Sequence, residues 1–225
     1  MNITEINLNK FPAQRNRISS HQKFILDTEF TNYCLTSTQL LPKELTNIFT
    51  KQSKAIIDIG FGNGEQLLPL CESMPTYTFI GIELYKKGIA NLIKQIKHKN
   101  LTNIKIIYGE AKETLQKIYD HSISKIQIFF PDPWPKRKHH KRRLIQKDFI
   151  NIIKNKLLIN GILHIATDSD AYAAYIIKIM TDFPEFDQPK NTAPYLVRPT
   201  TKFEKIGISL GHKIWDLVFV LKSYI

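Results

Sequence analysis

Three features of this sequence predict an α/β fold with a mostly parallel sheet and helices on both faces. Short, almost wholly apolar runs recur, as strands buried on both faces require. Between them lie helix-length segments whose apolar residues return at helical spacing. Nearly every apolar run stops at a glycine turn or an acid, so the alternation collects functional groups at one sheet edge.

Residues 1–50 read as a basic N-terminal arm, partly irregular. Lys10, Arg15, Arg17, His21 and Lys23 supply charge, and Pro12 and Pro42 interrupt the segment. It is either a polyanion contact or a solvated tail. Residues 51–225 read as a single domain. Ala55 to Gly60 is the first strand, and Gly60-Phe61-Gly62-Asn63-Gly64 turns the chain into a helix over Glu65 to Met74. Thr78 to Glu83 is a second strand, and Tyr85 to Lys97 a helix with Ile89, Leu92, Ile93 and Ile96 on one face. Ile104 to Tyr108 and Ala111 to Ile118 repeat the unit, and Ile126 to Phe130 is the fourth strand. Leu144 to Leu157 forms the next helix, closed at Asn160-Gly161, where glycine suits a left-handed cap. Ile162 to Thr167 is the fifth strand, Ala171 to Phe183 a helix, and Trp215 to Lys222 a late apolar strand.

The chain of 225 residues carries a net charge of +12, which favours an anionic partner such as nucleic acid or an acidic membrane surface. Its two cysteines, Cys34 and Cys71, are far apart, which argues against a disulfide scaffold or zinc ribbon and fits a reducing, cytoplasmic setting. No apolar run approaches the roughly 20 residues of a membrane helix, so no membrane role is expected.

In open α/β sheets ligands bind beyond the carboxyl ends of the strands. Gly60, Gly62 and Gly64 follow the first strand, Glu83 ends the second, Glu110 follows the third, Asp132 the fourth and Asp168 the fifth. The turn is GxGxG with no following Lys-Ser/Thr, which argues against a phosphate cradle. Glu83 lies about twenty residues on, where an acid accepts hydrogen bonds from ribose hydroxyls. An adenosine with cationic groups and no pyrophosphate suits such a cleft, and S-adenosylmethionine meets that description; no metal is expected. A tight turn with solvated acids is the plainer alternative. Around the fourth strand, Phe130-Pro131-Asp132-Pro133-Trp134 is a stiff turn, because each proline fixes its own φ and holds the residue before it extended. Lys136, Arg137, Lys138, Lys141, Arg142 and Arg143 follow at once. A rigid carboxylate and an aromatic ring beside this cluster suggest a pocket for a flat base on an anionic polymer; a structural turn with a solvated basic face is the other reading. Asp168-Ser169-Asp170 could cap the next helix, His164 reads as a core histidine, and Thr201-Lys202-Phe203-Glu204 has capping-box spacing.

Together these blocks resemble the bacterial tRNA (guanine-N7-)-methyltransferase family over about residues 50–222. The blocks are Asp58 to Gly64, Gly81-Ile82-Glu83, Phe129 to Lys136, Lys141-Arg142-Arg143, Ala166-Thr167-Asp168, Thr201 to Glu204, Leu210-Gly211-His212 and Trp215-Asp216-Leu217. The first two occur in many methyltransferases; the others are specific in combination. The resemblance implies a class I S-adenosylmethionine-dependent methyltransferase domain, Rossmann-like, with a mostly parallel seven-stranded sheet. It implies methylation of the variable-loop guanosine of tRNA, position 46 in standard tRNA numbering, by a monomer or homodimer. By position it makes Asp58, Gly60, Gly62, Glu83, Glu110 and Asp132 the cofactor-contacting set, with Asp132 also catalytic. Lys136, Asp168, Thr201, Lys202, Phe203 and Glu204 become substrate contacts, and Arg137, Lys138, Lys141, Arg142 and Arg143 contacts to RNA. Glu110 stands where the family often has Asp, and Asp58 where Glu is common. Trp134 either packs on the base or supports the turn. Two rivals are a methyltransferase of exocyclic amines and a non-catalytic RNA-binding protein on the same fold; a nicotinamide dehydrogenase is disfavoured by the glycine turn.

Overall fold

The computed structural model describes residues 18–40, 54–196, 198–209, 211 and 213–223. In chain order its elements are α1 (Ser20–Tyr33), β1 (Cys34–Thr36), β2 (Lys54–Ile59), α2 (Leu67–Ser73), β3 (Tyr77–Glu83), α3 (Lys86–Lys99), β4 (Ile104–Tyr108), α4 (Ala111–Lys117), β5 (Ile123–Phe129), α5 (Lys147–Lys156), β6 (Leu157–Thr167), α6 (Asp170–Met180), β7 (Phe186–Asp187), α7 (Lys202–Ser209) and β8 (Trp215–Leu221). The sheet order is β1-β4-β3-β2-β5-β6-β8-β7. β1 to β6 pair in parallel, and β8 runs antiparallel to both β6 and β7.

The sheet thus has eight strands where the resemblance implied seven. The additional one, β1, comes from the segment read as an arm, and it pairs Cys34 to Thr36 with Ile106 to Tyr108 of β4. Ser20–Tyr33 is also not irregular. Ser19 caps α1 with a full capping box: its Oγ accepts from Gln22 N, and its own N donates to Gln22 Oε1. Ile25, Leu26 and Phe30 then bury one face of the helix. Lys10, Arg15, Arg17, Pro12 and Pro42 lie outside the described residues.

Strand alternation splits the core in two. Ile57, Ile59, Ile80, Ile82, Ile126 and Ile128 face α4, α5 and α6. Ile56, Phe79, Ile104 and Ile106 face α1, α2 and α3. The second face changes character beyond β2. There Asp58 lies opposite Gln127, Gln127 opposite His164, and Ala166 opposite Asp216. Residues on either side of position 197 are tied to this polar floor and its border, where Lys125 Nζ donates to Tyr195 O at 3.3 Å and Gln66 Nε2 to Pro199 O at 3.1 Å.

The turn expected at Asn160-Gly161 is not a helix cap. α5 ends earlier, at Lys156, and the chain passes directly into β6. Asn160, not Gly161, takes the left-handed φ of 62°. Gly161 is needed for close packing: a Cβ there would lie 2.7 Å from Leu158 O. No described helix is long and apolar enough to cross a membrane.

Candidate functional site

The carboxyl ends of β2 to β6 form one edge, and two cavities open along it. One, of about 260 Å³, is lined by Asp58, Gly60, Phe61, Gly62, Asn63, Glu65, Gln66, Phe129, Phe130 and Thr201. The other, of about 220 Å³, is lined by Phe130, Asp168, Glu204, Gly207 and Ile214. Phe130 borders both.

The first cavity is shaped by backbone. Gly60, Gly62 and Gly64 all have positive φ, at 76°, 58° and 77°, a conformation only glycine holds without strain. Gly62 N then donates to Glu83 Oε2 at 2.8 Å, while Leu84 N and Tyr85 N donate to Oε1 at 2.7 and 2.9 Å. The Glu83 carboxylate is therefore fixed by three amides, and α3 starts directly behind it. At Gly88 of that helix a Cβ would collide with Gly62 O at 1.9 Å, so glycine on both sides lets helix and turn touch. Among the described residues, no atom lies within 4 Å of where a Cβ would stand at Gly60 or Gly62.

Asp58 lies at the base of this cavity and is 2% exposed. Burial pushes its carboxyl up to about 7. The charge of Glu83 adds to the rise, and neighbouring Gln127 and Lys125 oppose it. Gln127 is the stronger of the two opposing influences, although neither end of its amide makes a hydrogen bond of full geometry among the described residues. Glu110 follows β4 and is exposed at the N-cap of α4. Partial desolvation raises its carboxyl, and Glu113 adds to this.

The turn is present, but two of the residues before its prolines are not extended as expected. Phe130 has φ 52° before Pro131 and Trp134 φ 43° before Pro135, so two non-glycine residues in strained left-handed conformations bracket exposed Asp132. On its upstream side the turn is anchored by Phe130 N, which donates to Ala166 O at 2.8 Å. Trp134 is packed inside the turn, with the Arg142 guanidinium 5.1 Å from its ring centre and the His139 ring 5.8 Å away, edge-on. Lys136, Arg137, Lys138, Lys141 and Arg142 are exposed, as an anion-facing surface requires.

Two residues that the resemblance assigned to ligand contacts are buried. Arg143 is 5% exposed and turned inward, unlike exposed Lys141 and Arg142 just before it. Glu204 is also buried, at 6%. Arg198 Nη1 and Nη2 each donate to a Glu204 oxygen at 2.6 Å, while its Nε and Nη2 reach Asp216 at 2.8 and 2.9 Å. The local capping reading of Thr201 to Glu204 holds, since Thr201 Oγ1 accepts from Glu204 N and Thr201 N donates to Glu204 Oε2. Glu204 therefore builds the cavity wall and spends its carboxylate on Arg198 and the cap. Thr201 lines the first cavity and Asp168 the second. Ser169 caps α6, its Oγ accepting from Tyr172 N at 3.3 Å, which leaves exposed Asp168 free of that duty. The side chains of Lys202 and Phe203, and residues Leu210 and His212, lie outside what the structure describes.

His164 is fully buried and only half satisfied. Its Nε2 contacts Asp216 Oδ1 at 2.8 Å, but its Nδ1 has no partner among the described residues. Burial lowers its pKa against the pull of Asp216. Burial alone would raise the Asp216 carboxyl; hydrogen bonds from His164 and Arg198 outweigh it and hold that carboxyl below the usual range. Burial also brings Lys125 down to about 8. Arg198, Lys125, Gln127 and Gln66 were not anticipated. A signal existed for two of them, because Lys125 and Gln127 interrupt an otherwise apolar strand on one face. Arg198 and Gln66 carry no such mark.

A glycine turn, an acid ending the next strand and a ligand edge on a sheet of this order define a class I methyltransferase. A family described as "Putative methyltransferase" (Methyltransf_4) matches residues 52–217. Among solved structures, the 16S rRNA methyltransferase KamB aligns with TM-score 0.58 and 9% identity, over 81% of this chain and 94% of that one. A 30S ribosomal A1408 methyltransferase from an uncultured bacterium aligns with TM-score 0.53 and 21% identity, over 81% and 93%. These two share the fold. The closer relatives are tRNA (guanine-N(7)-)-methyltransferases. That of Nitrosococcus oceani is 40% identical over 213 residues, covering 94% of this chain and 90% of the relative. That of Buchnera aphidicola is 43% identical over 190 residues, covering 82% and 80%. The chain belongs to the tRNA (guanine-N7-)-methyltransferase family.

Proposed function

We propose that this enzyme transfers the methyl group of S-adenosylmethionine to N7 of the tRNA variable-loop guanosine, position 46 in standard tRNA numbering, in the cytoplasm. The observation that carries the reading is the turn at the end of β5. It presents Asp132 between two left-handed residues, the first of which, Phe130, lines both cavities, and the exposed basic run follows directly.

The residues present suit the cofactor. Gly60 and Gly62 offer bare backbone to an approaching ligand. Glu83 is preset by three amides and, of about four lone-pair sites, keeps one for a ribose hydroxyl. Asp58, Glu110 and Asp132 supply negative charge for cationic groups. When bound, S-adenosylmethionine supplies an electrophilic methyl group on a cationic sulfur.

Guanine N7 carries an in-plane lone pair at neutral pH, so no general base is needed. Asp132 is left two tasks: holding the base in line, and offsetting the positive charge that arrives on the purine. A carboxylate already fixed in place does this with little reorganisation during the reaction. The second cavity, with Asp168 on its wall, is where the base would seat. A guanine engaged in tertiary pairing has to be displaced to reach it. Lys136, Arg137, Lys138, Lys141 and Arg142 then hold phosphates on either side.

The test is labelled methyl transfer to an unmodified tRNA transcript, followed by mapping of the modified nucleoside. The expected product is N7-methylguanosine at position 46, absent from a transcript carrying adenosine there. Methyl groups on exocyclic amines, or at another guanosine, would refute this assignment.

A further inference from the structure

Arg142 and Arg143 are neighbours in one basic run, yet they lie on opposite sides of a surface. Arg142 is exposed, while Arg143 is buried. Arg143 Nε donates to Pro133 O at 2.9 Å, and its Nη2 meets His140 Nε2 at 3.1 Å. Its guanidinium carbon lies 5.0 Å from the Tyr172 ring centre and 4.5 Å from that of Tyr175, both on α6. Tyr172 is itself locked, because its hydroxyl accepts from Ile145 N at 3.3 Å.

Pro133 is the residue after Asp132, so Arg143 grips the backbone one residue downstream of the carboxylate. That grip matters because Trp134, next along, holds a left-handed φ that an L-residue leaves unless its surroundings enforce it. The Phe130–Ala166 hydrogen bond restrains the turn upstream. Arg143 restrains it downstream, through a charged donor that the ring faces of α6 keep in place. A phosphate could not reach this guanidinium without dismantling the turn.

We infer that Arg143 is a positioning residue for methyl transfer: it orients Asp132 by holding the Pro133 carbonyl, and it takes no part in binding RNA. The inference rests on the reading of Asp132 as the catalytic residue.

The test compares Arg143→Ala, Arg143→Lys, Arg142→Ala and Asp132→Ala in the full-length enzyme. It measures kcat at saturating tRNA and S-adenosylmethionine, the tRNA Kd, and the slope of log affinity against log salt. Arg143→Ala should lower kcat about 10- to 100-fold with Kd and salt slope unchanged, as expected of a small displacement of a reacting group. Methylguanidine should restore part of that kcat. Arg143→Lys should stay impaired, since an ammonium lacks the planar fork that meets carbonyl and rings together. Arg142→Ala should weaken tRNA binding and flatten the salt slope by about 0.7 to 0.9. If Arg143→Ala keeps kcat but flattens the slope as Arg142→Ala does, while Asp132→Ala is inactive, this inference alone falls. If Asp132→Ala also retains turnover, the catalytic reading has failed instead. Should Arg143→Ala not fold, Arg143→Lys decides: low kcat at unchanged tRNA affinity supports the role, and unchanged kcat overturns it.

Discussion

The two halves of the ligand edge are built in opposite ways. On the side proposed for the cofactor, beyond β2, β3 and β4, the parts are local. A glycine turn meets the next strand's acid, and backbone amides do the positioning. On the side proposed for the substrate, around β5, β6 and β8, geometry depends on side chains from far along the chain. Arg198 joins Glu204 to Asp216 and lies over the rings of Phe129 and Phe130 at 5.4 and 5.8 Å, while Arg143 reaches back to Pro133. A widely shared ligand can be held by fixed backbone. A wall that must admit one base of a folded RNA is assembled from buried charge pairs, each of which fails if a single partner is removed.

The largest expected difference is in stability. Glu204→Ala leaves the Arg198 guanidinium buried with half its partners gone, and should cost about 3 to 5 kcal/mol in urea unfolding. Glu83→Gln should cost less, about 1 to 2 kcal/mol, because one amide oxygen can still accept from backbone N–H groups. It should also weaken S-adenosylmethionine binding about 10- to 100-fold by calorimetry, because a charged acceptor of several hydrogen bonds is lost. If Glu204→Ala proves no less stable than Glu83→Gln, the contrast between the halves is wrong.

A smaller effect sharpens the contrast through pH. The Asp58 carboxyl sits near 7 in the folded protein, above its ordinary value of 3.8. Folded protein therefore holds a proton through that window that the unfolded chain has released. Asp58's contribution to stability should fall as pH rises from about 4 to 7. A cationic ligand favours the ionised form, so cofactor affinity should rise up to about tenfold per pH unit below 7 and level off above it. Asp58→Asn should abolish this dependence. A flat profile in the unaltered enzyme would remove Asp58 from the cofactor set. The smallest effect is on Lys141→Ala, which should flatten the tRNA salt slope by less than about one unit and leave kcat alone.

The same division governs what could be read in the sequence. Local devices were legible: the strand-ending acids, the GxGxG turn and the proline-bounded Asp132 all fall where pattern placed them. Ser19-Ser20-His21-Gln22 was a capping signal for α1 that the surrounding basic residues obscured. The burial of Arg143 was not legible, because charge in a run looks alike whether it faces water or folds under; only the ring faces of Tyr172 and Tyr175, about thirty residues away, decide it. The burial of Glu204 was not legible either, because its partner Arg198 has no periodic or compositional mark. β1 escaped because a three-residue edge strand is too short to show alternation.

The account depends most on Asp132 acting on the base after both ligands are bound. Single-turnover methylation by Asp132→Ala, with S-adenosylmethionine and tRNA affinities measured on the same preparation, tests this directly. A rate about 100- to 1000-fold lower, with S-adenosylmethionine kept saturating and tRNA affinity close to that of the unaltered enzyme, is predicted. A near-normal rate would contradict it.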